Sequence, residues 1–257
     1  MRRQIQQVLE RIENENDVKV LFAVESGSRA WGFSSSESDY DVRFLYVHRT
    51  DWYLSIDAKR DVLEYPISDK LDVSGWDLKK ALQLLMKSNP ALLEWLRSPI
   101  VYKEEYSTAA QLRKISSSYL SEKANIFHYL HMAKGNYRDY LQGENVKIKK
   151  YFYVLRPLLA CMWIEREHDI PPVRFEELLQ MPDLSPRFLE EVNKLLNRKK
   201  KGEQLAIEAM RPALNQFIQE KITYYEAYAN SLDGKWKADI DRLNKLFKMT
   251  LQEVWES

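Results

Sequence analysis

Residues 27–41 read GSRAWGFSSSESDYD: a Gly-Ser pair, a polar loop, then Asp-x-Asp. Just upstream, residues 18–24 (VKVLFAV) are β-branched, aromatic and apolar enough to form a buried strand. Just downstream, Val42 and the apolar run 44–47 carry a second strand onward. Successive side chains of a strand point to opposite faces, so Asp39 and Asp41 share one face while Tyr40 and Val42 take the other. Two carboxylates on one rigid face suit Mg²⁺, or Mn²⁺ as its alternative, because a hard cation prefers oxygen ligands and shares them with substrate phosphates. Gly27 permits close approach of backbone N–H groups to a phosphate, and Ser28 adds a hydroxyl donor.

Outward from this stretch the next question is a third carboxylate. Leu71-Asp72-Val73 is an apolar-Asp-apolar triplet, so Asp72 points away from its neighbours. On a strand beside Asp39 and Asp41 it would complete a two-metal site for in-line displacement and take the proton of an attacking hydroxyl. Asp77 and Glu64 compete for the place. Asp77 reads better as a helix N-cap ahead of the amphipathic positions Leu78, Ala81, Leu82, Leu85 and Met86, and Glu64 lies on an expected strand over residues 62–65. Arg29 and Arg43 fit either triphosphate binding through a planar fork or ion pairs with nearby acids. Trp31 fits base stacking or a packing plug.

The pattern changes near residue 100. Before it, strand-like runs alternate with helices over residues 2–14, from Asp77 onward, and 91–97. After it, helical periodicity covers residues 107–141 with a break, 147–168, 175–179, 186–199, 203–232 and 239–256. The expected fold is α+β: a small mixed β-sheet domain over residues 1–105, then a mainly α-helical bundle over 106–257. Lys149, Tyr153 and Arg156 recur at helical spacing, with Lys150 beside them, and predict a basic and aromatic face. Pro157 predicts a bend there. The run 198–201 (RKKK) reads as a solvated basic turn, with RNA phosphates as the sharper alternative.

Composition narrows the classes. With 257 residues, 45% hydrophobic and 30% charged, the chain is an ordinary globular protein of one large core or two modest ones. Its net charge of +1 supplies no global attraction for nucleic acid, so any such contact must be local. The single cysteine, Cys161, excludes an internal disulfide and sits in the apolar run 158–163, where it reads as a small buried hydrophobe. Neither a signal-peptide core nor a bilayer-spanning run is legible, which gives a cytoplasmic expectation with no membrane partner.

Gly27-Ser28 followed by Asp39-x-Asp41 resembles the polymerase-β-like nucleotidyltransferase superfamily over about the first hundred residues. Residues 29–32 (RAWG), 38–43 (SDYDVR) and 75–80 (GWDLKK) resemble one prokaryotic and phage branch of it, some members of which accompany RNA-ligase repair systems. The resemblance implies a nucleotidyltransferase catalytic domain that moves an NMP from an NTP, ATP first among candidates, to a hydroxyl or phosphate acceptor such as an RNA end. It implies Asp39, Asp41 and Asp72 as metal ligands and catalytic residues, Gly27 and Ser28 on the nucleotide, and a following helix whose Lys150 and Arg156 bind phosphate; the residues themselves add Arg29 and Arg43 as candidate triphosphate contacts and Tyr153 as a candidate for stacking a base. Two other expectations stay open: a catalytically silent nucleotide- or RNA-binding regulator, and a helical, antitoxin-like interaction protein.

Overall fold

The two apolar runs flanking the Gly-Ser stretch become β1 (Val18–Glu25) and β2 (Tyr40–His48). In the computed structural model, which describes residues 1–68, 70–203, 206–234 and 236–256, they pair antiparallel near the centre of a sheet ordered β3-β4-β2-β1-β5. The other strands are β3 (Val62–Ser68), β4 (Leu71–Asp77) and β5 (Val101–Glu104). β4 runs parallel to β2 and the remaining neighbours are antiparallel, so the sheet is mixed as expected.

One face of this sheet is claimed by α1 (Arg2–Asn16). Its Ile5, Leu9 and Ile12 fall at i, i+4 and i+7 and pack with Val42, Phe44, Tyr46, Leu71 and Val73. Full burial of each such aliphatic chain stabilises the fold by about 1.5–3 kcal/mol, which fixes the face that β2 turns inward. The period of two then sends Asp41, Arg43 and Asp72 to the opposite face. Gly75, directly across from Phe44, makes this packing possible, since a Cβ there would lie 2.3 Å from the Phe44 ring.

The chain forms two compact units that are not contiguous in sequence. One comprises Met1–Ala30, Asp39–Tyr119 and Lys237–Ser257, and the other Trp31–Ser38 and Leu120–Trp236. This differs from a single division at residue 105 in two places. The helices α6 (Thr108–Ser116) and α12 (Ile240–Trp255) belong with the sheet. Thr108 and Thr250 hydroxyls are 3.0 Å apart, Ser107 donates to the Glu253 carboxylate at 2.6 Å, and Trp255 Nε1 donates to the His48 carbonyl at 2.9 Å. The loop 31–38 instead belongs with the helices, because Phe33 is buried against Phe152 and Phe175.

The helical unit is built on α7 (Glu122–Tyr140), α8 (Ile148–Glu167), α10 (Pro186–Lys200) and α11 (Pro212–Ser231). α8 is apolar nearly all round, as its burial requires, and Pro157 is accommodated inside it. Cys161 is fully buried there. The helix expected over 203–232 begins only at Pro212. Residues 207–209 form instead a short strand antiparallel to residues 145–147, and proline at the first helical position sets the start. No described helix is long and apolar enough to cross a membrane.

Candidate active site

β1 ends on Glu25, and the chain turns through Ser26 into the single helical turn α2 (Gly27–Ala30). Gly27 has φ +58°, and a Cβ built on it would stand 2.1 Å from Asp41 Oδ2. Glycine is therefore demanded twice, by the left-handed backbone and by the carboxylate lying against its Cα. The backbone of Asp41 is pinned from both sides. Its N–H donates to Glu25 Oε1 at 2.7 Å, and its carbonyl accepts from Ser26 N–H at 2.8 Å. Glu25 is buried and also accepts a hydrogen bond from Tyr102 on β5. Burial pushes the Glu25 carboxyl above its ordinary value, against the lowering effect of the Tyr102 and Asp41 hydrogen bonds.

Asp72 on β4 is the direct cross-strand partner of Asp41. Parallel neighbours sit about 4.8 Å apart, so the two carboxylates share a face and a neighbourhood. Arg43, two residues along β2, ties them together. Its Nη2 lies 2.6 Å from Asp72 Oδ2 and 3.8 Å from Asp41 Oδ1. Its Nη1 donates to the carbonyls of Val42 at 3.0 Å and Asp72 at 3.3 Å. Burial raises the Asp41 carboxyl above its usual range; Arg43 opposes this, while the charges of Asp72 and Asp39 add to it. Arg29 packs its guanidinium 3.6 Å over the Tyr40 ring and donates from Nε to the Asp39 carbonyl at 2.9 Å.

Oxygen donors on Asp41 and Asp72, with Asp39 just ahead of β2, have the right chemistry for a hard divalent cation, and their mutual repulsion is what such a charge relieves. The expected convergence of three acids is nevertheless incomplete. Among the described residues no group of three His, Cys, Asp or Glu side chains is placed to hold a metal ion. Asp41 and Asp72 pair; Asp39 stands exposed before the strand begins, with its carbonyl engaged by Arg29. Of the rival acids, Asp77 caps α4 (Leu78–Met86) by accepting from Lys79 N–H at 2.8 Å and also accepts from Tyr53 at 2.6 Å. Glu64 is exposed and paired with Arg60.

Lys150, Tyr153 and Arg156 lie together on α8, in the helical unit. Lys150 Nζ sits 3.2 Å over the Tyr140 ring and 5.4 Å from Tyr153. Arg156 is not a surface cation: it is 2% exposed, stacks 4.5 Å over Trp31 and reaches the Val173 carbonyl. Trp31 touches Phe33 and Tyr153 as a packing plug. Three of the four cations in the basic run 198–201 are likewise engaged, and Lys201 is exposed. Arg198 pairs with Glu203 and Glu208, Lys200 with Glu176, and buried Lys199 donates to the Phe33 carbonyl at 2.9 Å. Burial, with Lys149 nearby, pushes the Lys199 ammonium down to about 8.

Two site residues escaped the sequence reading. Glu25 had a legible signal, an acid closing an otherwise apolar buried strand. Tyr102 had none, because β5 is short and its partner strand is distant in sequence.

A family model described as "RNA repair pathway DNA polymerase beta family" matches residues 1–249. A Bacillus subtilis (strain 168) protein described as "Uncharacterized protein YcgL" is 50% identical over 256 residues, which is 100% of this chain and 98% of that one. A crystal structure of a nucleotidyltransferase-like protein from Exiguobacterium sibiricum aligns with 97% of this chain and 91% of its own, at 13% identity and a TM-score of 0.33. That last likeness is too slight to weigh.

Proposed function

We propose that this chain, which belongs to the RNA repair pathway DNA polymerase beta family, is a divalent-metal-dependent nucleotidyltransferase. It takes an NTP, ATP first, and an acceptor hydroxyl or phosphate, with an RNA end as the favoured acceptor. The observation that carries the reading is the cross-strand pair of Asp41 and Asp72, with Asp41 lying against the Gly27 turn. Asp39, Asp41 and Asp72 would hold Mg²⁺ or Mn²⁺, which when bound neutralises phosphate charge and supports in-line displacement.

The chain's own residues do the rest. Gly27 and Ser28 bind the β and γ phosphates, and Arg29, held on Tyr40, adds fixed positive charge beside them. The acceptor oxygen bonds to the α-phosphorus as the bond to the β-phosphate oxygen breaks, and pyrophosphate leaves. Asp72 accepts the proton of an attacking hydroxyl. Arg43 keeps the two acids side by side until substrate arrives, and then serves the triphosphate. Lys150 and Tyr153 take a share of nucleotide binding. Arg156, buried on Trp31, positions that ring rather than meeting phosphate itself. Positioning and charge stabilisation supply most of the rate, as in phosphoryl transfer generally.

The test is incorporation of α-labelled NTP into a pool of cellular RNA, protein and metabolites with Mg²⁺. The wild type labels an acceptor, and Asp41→Asn or Asp72→Asn lowers labelling by at least about 100-fold, the scale of losing one preorganised electrostatic group, with thermal stability retained. Equal labelling by all three proteins refutes the assignment. The incomplete three-acid cluster favours one other reading, a silent nucleotide- or RNA-binding regulator. That reading predicts stabilisation by NTP or RNA with no labelled product.

A further inference from the structure

Within the sheet unit, α6 and α12 enclose a groove of about 490 Å³ lined by Lys114, Ile115, Arg242, Lys245, Leu246 and Met249. Its charge is one-sided. Three cations line it and no carboxylate does. None of the three forms an ion pair among the described residues. Other surface cations have acidic partners: Arg113 with Glu104, Lys80 with Asp61, Arg198 with Glu203 and Glu208, Lys194 with Glu190 and Glu191. Of the acids beside them on the same helix, the N-cap Asp239 accepts from Arg242 N–H at 3.0 Å, and Asp241 in the first turn forms no ion pair among the described residues. In a chain of net charge +1, three unmatched cations in one groove form a local positive field.

The form of the groove selects among anions. Arg242 and Lys245 stand at i and i+3 on α12, with Met249 one turn further on, and Lys114 lines the groove from α6, so cations border it on both sides. A chain of phosphates passing through the groove meets cations on both walls. Between the cations lies apolar surface, with Met249 43% exposed over buried Leu246 and Ile115.

We propose that this groove binds the phosphate backbone of single-stranded RNA and so holds the acceptor strand; the assignment of that strand as acceptor rests on the nucleotidyl-transfer reading above. Each phosphate contact on a single strand contributes about 0.7 to the slope of log affinity against log salt. Three contacts therefore account for a slope of about −2 and about 100-fold in affinity at 0.1 M salt.

The test is fluorescence anisotropy of the full chain with a labelled single-stranded RNA of about 20 nucleotides, over about 50 to 200 mM salt. A labelled polyglutamate serves as the second probe. The Lys114→Gln, Arg242→Gln, Lys245→Gln triple variant should lose about 100-fold in RNA affinity and flatten the slope by about 2. A control triple variant, Lys19→Gln, Lys87→Gln, Lys221→Gln, removes equal charge outside the groove and should bind as wild type. Wild-type RNA binding by the groove variant overturns the proposal, as does equal loss in the control. Polyglutamate bound as tightly as RNA, and lost equally in the groove variant, also overturns it in favour of an acidic protein partner. Should the groove hold RNA while no NTP label is ever transferred, only the enzymatic reading fails.

Discussion

Adding one methyl group at Gly27 tests the central geometry. The new Cβ would have two separate effects: φ +58° strains any L-residue, and the carbon would sit 2.1 Å from Asp41 Oδ2. Gly32 separates them, since it has φ +85° with nothing within 4 Å of its virtual Cβ. Left-handed backbone costs alanine about 1–2 kcal/mol, partly offset by about 0.4–1 kcal/mol from a less flexible unfolded chain. Gly32→Ala should therefore lose about 1 kcal/mol or less. In Gly27→Ala the carboxylate must also move. Because Glu25 and Ser26 hold the Asp41 backbone at 2.7 and 2.8 Å, the movement falls on its side-chain torsions. An off-rotamer side chain adds about 0.5–1.5 kcal/mol, so Gly27→Ala should exceed Gly32→Ala by about 1 kcal/mol. Urea titrations followed by tryptophan fluorescence measure the difference, and NTP labelling should fall by about 100-fold in Gly27→Ala alone. Two variants that match in both midpoint and labelling would show that the turn and the carboxylate are not coupled.

Three further outcomes follow from groups outside the carboxylate pair. Burial lifts the Asp77 carboxyl from 3.8 to about 6, and the residue is 1% exposed. Its folded form thus binds the proton more tightly than the unfolded chain, so its ionisation costs stability as pH rises from about 4 through about 6. Asn keeps the cap without the charge and gives up the bond that Asp77 accepts from Tyr53, a loss that does not vary with pH; relative to wild type, Asp77→Asn should therefore gain by up to about 3 kcal/mol at pH 7 compared with pH 4, a trend that parallel denaturation curves would show absent if the group is not desolvated. Gly75→Ala drives a carbon to 2.3 Å from the Phe44 ring and should cost about 1–3 kcal/mol by overpacking, read as a lowered urea midpoint. Cys161 is fully buried, with its thiol pushed up by desolvation. A thiol reagent should leave it unmodified in the native chain and modify it in urea; rapid native labelling would contradict its placement.

What could be read from the sequence follows the range over which each force acts. β1, β2 and the placement of Asp41 and Asp72 on one face come from alternation within short runs, and alternation is local. Asp77 as a cap is local too, since an acid immediately before an amphipathic run has only nearby N–H groups to satisfy. The misread pieces depend on partners distant in the chain. Residues 207–209 have helical neighbours but are drawn into pairing with residues 145–147. Lys199 looks like part of a solvated basic turn until the Phe33 carbonyl, 166 residues away, is placed beside it. Arg156 has the spacing of a surface cation on α8, yet Trp31 and Val173 enclose it.

The carboxylate site separates two tasks that a strand could have combined. Position is enforced through the main chain: buried Glu25 accepts the Asp41 N–H, Ser26 donates to the Asp41 carbonyl, and Tyr102 completes the Glu25 carboxylate from β5. Charge is handled through side chains, by Arg43 at 2.6 Å from Asp72 and 3.8 Å from Asp41. A main-chain lock costs no countercharge when the charge environment changes, whereas a guanidinium on a flexible stem can be exchanged for another cation with the strands unmoved. The arrangement therefore keeps Asp41 in register whichever positive group faces it. The same logic explains why an acid closes β1: an amide at residue 25 could still accept the Asp41 N–H, but its NH2 would then face the Tyr102 hydroxyl, and only a carboxylate accepts from Asp41 and Tyr102 with its two oxygens.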